Sequence, residues 1–151
     1  MDTTTLAITA FTTLPSIPCI QDTIGHIYST IQKIRAHRYA DIVHKYIAEL
    51  DVETPIQSIE MFIHKECENS HDHTNSLCIK RIDQSIKRIH ILLEEIEKKL
   101  NDYQNSWIQW LKGINVYYTL EDLKNEKKIL ESRIDTLLKM IMINRLQTFQ
   151  H

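Results

Sequence analysis

Cysteine and histidine side chains cluster in residues 64–78, and zinc prefers both as ligands. Cys67, His71, His73 and Cys78 would supply four ligands from this one segment. Their spacing differs from paired Cys-x-x-Cys motifs, and two histidines separated by a single residue rarely reach the same ion. We therefore predict a polar loop with no metal bound. A small zinc-binding regulatory module organised by residues 64–78 is kept as the alternative function.

Other residues with chemical potential carry weaker signals. His37, Asp41 and His44 share one helical face, and we interpret them as a solvated surface. Cys67 beside His64 leaves a thiol enzyme as a third hypothesis, although no catalytic motif surrounds it. The chain has two glycines, so phosphate-binding loops, dinucleotide folds and serine-nucleophile elbows are excluded. We predict that the protein is not an enzyme and has no catalytic residue, cofactor or small-molecule substrate.

Charge and hydropathy narrow the possible partners. The chain has 151 residues, of which 42% are hydrophobic, and a net charge of −2. Residues 1–78 carry five basic and ten acidic side chains, whereas residues 79–151 carry 13 basic and ten acidic ones. The basic half lacks the cationic stripe interleaved with aromatic residues that is typical of nucleic-acid-binding proteins. The sequence supports a hydrophobic core and predicts no nucleic-acid partner.

The sequence also gives an expectation about location. The first five residues, Met1 to Thr5, lack the basic start of a secretory signal. Three cysteines are an odd number and too few for a disulfide scaffold. No stretch reaches the roughly 18 apolar residues that a membrane span requires. We expect an intracellular protein of the cytoplasm or nucleus, without a membrane span.

Hydrophobic periodicity predicts the elements that would position these residues. Residues 1–18 form an irregular N-terminal tail, and residues 19–151 form a single elongated helical domain. Within this domain we expect N-terminal helices in residues 19–68, a loop in residues 69–76, and a helical hairpin in residues 77–151. The fold class is therefore all-α, with four helices.

The first helix carries an isoleucine stripe with 4-3-4-3 spacing, which predicts one buried face. Its members are Ile20, Ile24, Ile27, Ile31 and Ile34. The stripe then moves to Tyr39, Val43, Tyr46 and Leu50. The shift indicates a bend near residues 35–38 or a change of packing partner.

A second helix is predicted from Pro55 to Glu68. Thr54 has the chemistry of an N-cap, and proline is favoured at the first helical position. The residues expected to be buried are Ile56, Ile59, Ile63 and either Met61 or Phe62.

The third helix, from about Asn75 to Lys112, has the strongest pattern. Eleven apolar residues keep strict three-four spacing: Ile79, Ile82, Ile86, Ile89, Leu93, Ile96, Leu100, Tyr103, Trp107, Trp110 and Ile114. The fourth helix continues this heptad with Leu120, Leu123, Leu130, Ile134, Leu137 and Ile141. Lys127 and Asn144 interrupt it, and we expect the stem of Lys127 to lie along the seam. The pattern predicts a long antiparallel coiled-coil hairpin, with the N-terminal helices packed at its base.

In an antiparallel helix pair, the numbers of two opposite residues have a constant sum. A short connection at residues 115–118 would set this sum at about 231. Leu137 to Ile143 would then lie opposite Ile89 to Leu93, where both helices widen their apolar surface. A helix that is apolar all round must be covered all round. We expect the N-terminal helices or a partner to cover this level.

Aromatic residues gather near the predicted connection, where Trp107, Trp110, Tyr117 and Tyr118 fall within twelve residues. Such residues are frequent anchors for partners, although packing against the first helix is an equal alternative. We predict partner contacts at these four residues and at Leu138 and Met142. The predicted function is that of a structural or adaptor subunit in a heteromeric coiled-coil complex, with other helical proteins as partners.

Overall fold

The computed structural model describes residues 17–38, 40–66, 73–105 and 116–149, and the regular structure in these ranges is entirely α-helical. The helices are α1 (Ile17–Arg35), α2 (Asp41–Leu50), α3 (Glu53–Glu66), α4 (His73–Asn105) and α5 (Tyr117–Phe149). The prediction of an all-α fold is confirmed, but the described residues form five helices instead of the expected four, because the first predicted helix is divided into α1 and α2. Helix α1 begins inside the expected tail 1–18, and α4 begins inside the expected loop 69–76.

The isoleucine stripe of α1 is buried, as the sequence predicts. Its five members, Ile20, Ile24, Ile27, Ile31 and Ile34, are each at most 2% exposed. Burial of each such side chain stabilises the fold by about 1.5–3 kcal/mol. The His26 and His90 rings stack with centroids 5.6 Å apart, which places α1 alongside α4.

The predicted bend near residues 35–38 is confirmed, because α1 ends at Arg35 and α2 begins at Asp41. His37 is buried at this bend, and His44 places its Nε2 atom 2.8 Å from the carbonyl oxygen of Ile34. Carbonyls at the end of a helix need partners from outside the helix. The prediction of a solvated face is therefore wrong for His37 and His44 and holds for Asp41, which is exposed.

Asp51 separates α2 from α3 in a left-handed conformation, with φ of 51°. Its backbone N–H donates to the carbonyl of Ile47 over 3.1 Å. The α3 helix then begins at Glu53, two residues before the predicted Pro55. Thr54 lies inside the helix and donates its hydroxyl to the Asp51 carboxylate, so it is not the predicted N-cap.

The predicted buried face of α3 is confirmed for its three isoleucines, Ile56, Ile59 and Ile63. Of the two alternatives left open, Phe62 is half-buried and Met61 is exposed. Phe62 therefore contributes to packing, whereas Met61 lies at the protein surface.

Polar contacts show how the N-terminal helices run relative to the other helices. Tyr28 bonds to Glu60, and Arg35 pairs with Glu53. The later residue of α1 thus contacts the earlier residue of α3, so these two helices are antiparallel. The hydroxyl of Tyr46 donates to Glu121 over 2.9 Å, which places α2 beside the start of α5. The expectation that the N-terminal helices pack at the base of the hairpin is therefore wrong for α2.

Helices α4 and α5 share the most extensive interface between described elements. Lys99 Nζ lies 2.8 Å from Thr119 Oγ1, and Arg133 Nη1 lies 2.8 Å from Ser85 Oγ. The two helices therefore run in opposite directions. Both pairs of residue numbers sum to 218, not 231, a displacement of roughly 20 Å along the helix. The predicted register is wrong because it assumed a bend near residue 116, whereas these pairs are centred on residue 109.

The apolar seam between α4 and α5 is buried over most of the described residues. Ile86, Ile89, Leu93 and Ile96 of α4 and Leu120, Leu123, Leu130 and Leu137 of α5 are at most 5% exposed. Lys127 is half-buried and places its ammonium 3.4 Å from Glu131. This placement agrees with the expectation that its stem lies along the seam. The predicted continuation of the seam through Trp107, Trp110 and Ile114 lies outside the described residues.

Candidate functional site

The last three turns of α5 carry apolar side chains that the described helices leave exposed. Leu138, Met142, Ile143, Leu146 and Phe149 are all exposed, from 46% at Leu138 to 89% at Phe149. We call these five side chains the α5 apolar face. Large aliphatic and aromatic side chains are normally exposed singly, so a contiguous set indicates a contact surface.

This face exists because α5 has two apolar stripes. Leu130, Ile134, Leu137 and Ile141 form the inner stripe, which packs on the core. Each residue advances about 100° around a helix, so the next residue after an inner one points sideways. Leu137 is 3% exposed, while its neighbour Leu138 is 46% exposed. One helical segment thus presents apolar side chains both to the bundle and to solvent.

The described helices do not cover the second stripe. The register of the hairpin places Leu137 beside the first turns of α4, well away from the expected level of Ile89 to Leu93. The expectation that the N-terminal helices cover Leu137 to Ile143 holds only in part: α3 meets α5 at the buried Leu137, but Leu138, Met142 and Ile143 remain exposed. The alternative, coverage by a partner, is left open by these contacts.

A shallow groove leads onto this face from α3. Its walls include Met61 and Phe62 on one side and Ile134 and Leu138 on the other, and carbon atoms make up most of its surface. Met61 is exposed at its edge. The groove extends the apolar surface beyond α5, so a docking helix would meet two helices of this chain.

The predicted aromatic contact at the hairpin connection is described only in part. Val116 is buried, whereas Tyr117 and Tyr118 are exposed, with their rings edge to face and centroids 5.5 Å apart. Trp107 and Trp110 lie outside the described residues. Exposed tyrosines suit a partner contact, and the role of all four aromatic residues stays a prediction.

The predicted metal candidates cannot be assembled into a site from the described residues. Cys67 and His71 lie outside them, His73 is the first residue of α4, and Cys78 is half-buried on the same helix. In the parts of the chain that the structure describes, no three His, Cys, Asp or Glu side chains could hold an ion. The zinc alternative stays a prediction, which metal analysis of the purified chain and of a Cys67→Ser, Cys78→Ser variant would test.

Two buried polar residues of α4 were not singled out by the sequence patterns. Ser85 is fully buried and accepts from Arg133, which also donates to the Arg81 carbonyl. Asp83 is 4% exposed and pairs through Oδ2 with Lys87 Nζ at 2.9 Å. The hydrogen bond to Asp83 raises the pKa of the Lys87 ammonium. The Arg133 contacts join α5 to α4, whereas the Asp83–Lys87 pair lies within α4.

Burial and the hydrogen bond to Glu60 both raise the pKa of the Tyr28 hydroxyl above its usual value. The same two effects, with Glu121 as acceptor, raise the pKa of Tyr46. Both tyrosines therefore act as neutral hydrogen-bond donors between helices. Each ties an N-terminal helix to another element and lies outside the α5 apolar face.

Comparison of the chain with family models, with curated proteins and with solved structures gives no match. Across residues 17–38, 40–66, 73–105 and 116–149, no helix is both long and apolar enough to cross a membrane. Among the described residues, the α5 apolar face is the most extensive exposed apolar surface.

Proposed function

We propose that this chain is a non-enzymatic structural or adaptor subunit that joins protein partners by helix packing. The observation that carries the proposal is the α5 apolar face, which is contiguous and exposed in the isolated chain. We further propose that α4 and α5 form a coiled-coil hairpin that serves as the scaffold, and that the complete complex is heteromeric.

The size of the face supports an assembly role. Its five side chains expose an apolar area on the order of 600 Å², the upper end for the largest patch on a typical monomer. Removing that area from water is worth on the order of 15 kcal/mol before the costs of association. Those costs are themselves about 4–15 kcal/mol. Burial of this face is therefore comparable in size to the cost of holding a partner.

The hairpin geometry supports a scaffold with two separate contact regions. The described part of α4 is 33 residues long, or about 50 Å. Tyr117 and Tyr118 lie at the start of α5 and the apolar face lies at its end. A rigid helix pair can hold partners at both ends without the two competing for one surface. We propose that the aromatic group, including Trp107 and Trp110, is the second contact region.

Affinity purification with quantitative mass spectrometry tests the proposal. The wild-type chain is compared with a Leu138→Glu, Met142→Glu variant, which places charges on the α5 apolar face. The matched control is Ile42→Glu, because Ile42 is 85% exposed but lies on α2. We expect the double variant to lose specific proteins that the control retains. Equal recovery by all three chains would contradict a role for this face.

A second comparison tests the other contact region. Trp107→Ala with Trp110→Ala should reduce recovery of partners more than it reduces the free energy of unfolding. The opposite result, a large loss of stability with unchanged recovery, would show that these two residues serve the core.

A further inference from the structure

We propose that residues 1–16 of this chain dock in the groove between α3 and α5, which we call the α3–α5 groove. Leu6 and Ile8 are the side chains that enter it, between Met61 of α3 and Leu138 of α5. This inference goes beyond the proposed function, because the occupant of the groove belongs to the same chain. The end of the α5 apolar face stays available to other proteins.

The α3–α5 groove has the size of a site for one or two side chains. Its volume is about 250 Å³, below the roughly 300–1,000 Å³ of pockets that enclose small molecules. Carbon atoms make up most of its lining, and a charged group that enters such a lining loses its hydration without compensation. Uncharged aliphatic side chains are therefore the occupants that the groove favours.

Helix α1 begins at the end of the bundle from which a preceding segment can reach the groove. Tyr28 bonds to Glu60, the neighbour of Met61, so this level of α1 is also the level of the groove. Helix α1 is antiparallel to α3, and Ile17 lies 11 residues before Tyr28, or about 16 Å further along the bundle. Ile17 therefore lies beyond the last turn of α3, which ends at Glu66, and a chain can cross there to the open side of the groove.

Residues 1–16 are long enough for this path. From Ile17 the groove lies about 16 Å back along the bundle and about 20 Å across it, which is two interhelical spacings and about 26 Å in a straight line. Ile8 precedes Ile17 by nine residues and Leu6 precedes it by 11. An extended chain spans about 3.3 Å per residue, so these two residues can lie as far as about 30 and 36 Å from Ile17.

The composition of residues 1–16 matches the lining of the groove. Asp2 is the one side chain among them that carries a charge. Four of them are large and apolar: Leu6, Ile8, Phe11 and Leu14. Residues 67–72 follow α3 directly, but they carry two acidic side chains and no leucine, isoleucine or phenylalanine. Of these two segments, only residues 1–16 have the side chains that the groove favours.

Covalent attachment to α1 favours this occupant over a separate protein. A tether raises the local concentration of a segment to the order of millimolar, so a contact of one or two side chains can be filled within the chain. A separate protein needs an interface of about 1,200 Å² in total for specific binding. The α3–α5 groove by itself is too small to supply that area.

Two methionines provide a matched test by hydroxyl-radical oxidation of the purified full chain. The described helices leave Met61 64% exposed and Met142 63% exposed, so these helices alone predict nearly equal rates of oxidation. With residues 1–16 docked, Met61 should be oxidised at least threefold more slowly than Met142. Mass spectrometry of the digested chain measures both rates in one sample. Equal rates would overturn the proposal.

Variants of the docking segment show whether it is the group that covers Met61. Leu6→Glu with Ile8→Glu should make the two methionines equally reactive, because glutamate side chains are excluded from an apolar groove. The control, Thr3→Glu with Thr4→Glu, adds the same charge at polar positions of the same segment and should leave Met61 protected. Circular dichroism confirms that each variant is folded. Protection of Met61 that persists in the Leu6, Ile8 variant would also overturn the proposal.

Partner recovery separates this proposal from the proposed function. Met142 lies outside the lining of the groove, so affinity purification with Met142→Glu measures the α5 apolar face independently. Loss of partners by this variant, together with equal oxidation of Met61 and Met142 in the wild type, would retain the proposed function and reject the docking. Unchanged recovery together with a protected Met61 would retain the docking and reject the role of the face.

Discussion

Leu137 and Leu138 provide a direct comparison of the two apolar stripes of α5. They are adjacent in sequence, are chemically identical, and differ in exposure, at 3% and 46%. Leucine-to-alanine changes in a core cost about 2–5 kcal/mol. We expect Leu137→Ala to cost about 2–3 kcal/mol, since the adjoining groove allows partial relaxation. We expect Leu138→Ala to cost less than about 1 kcal/mol, because it loses little buried surface.

Urea denaturation followed by far-ultraviolet circular dichroism measures both changes. In thermal denaturation, Leu137→Ala should lower the midpoint by about 5–10 °C. Equal losses of stability at the two positions would show that Leu138 belongs to the core. The exposed stripe, and the functional argument built on it, would then be refuted.

Two further predictions concern polar contacts. Lys87→Ala should cost at least about 1 kcal/mol, because it leaves the buried carboxylate of Asp83 without its ammonium partner. Lys45→Ala removes an exposed pair and should cost less than about 0.5 kcal/mol by the same urea titration. Because the folded state raises the pKa of Tyr28 above the 10.0 of the unfolded chain, the free energy of unfolding should fall as pH rises past 10, by at most about 1.4 kcal/mol per unit. Tyr28→Phe should reduce that slope, and an unchanged slope would contradict the inferred bond to Glu60.

The isoleucine stripe shows what sequence periodicity can predict. Residues that share a helical face are fixed by the geometry of the helix, so Ile20 to Ile34 could be assigned to the core without knowing their neighbours. The bend after Arg35 was predictable for the same reason, because the stripe changes its phase there. The five-helix division follows from that bend.

The register of the hairpin was not predictable in the same way. A heptad seam remains in phase when one helix slides by seven or fourteen residues, and periodicity alone cannot distinguish these alignments. The position of the connection between the two helices selects one of these alignments. The composition of residues 106–118 did not show where one helix ends and the next begins. The error in register moved Leu137 to Ile143 to the wrong level of α4.

The apolar composition of the candidate site was predicted from the sequence, but its position relative to α4 was predicted wrongly. The sequence showed that Leu137 to Ile143 is apolar all round, and it named Leu138 and Met142 as contacts. It did not include Leu146 and Phe149, although their spacing from Met142 keeps them on the same helical side. Extending the 138–142 stripe to the end of α5 would have found them.

Hydroxyl-radical footprinting of the purified chain tests the central claim most directly, which is that the α5 apolar face is open in the single chain and closed by assembly. Met142 and Phe149 report on the face, and the exposed Ile42 of α2 serves as the internal reference. In the purified chain alone, all three residues should be modified readily. When the proteins recovered by affinity purification are added, we predict that modification of Met142 and Phe149 falls severalfold while that of Ile42 stays constant. Low reactivity of Met142 and Phe149 in the chain alone, or reactivity that the added proteins leave unchanged, would contradict the account.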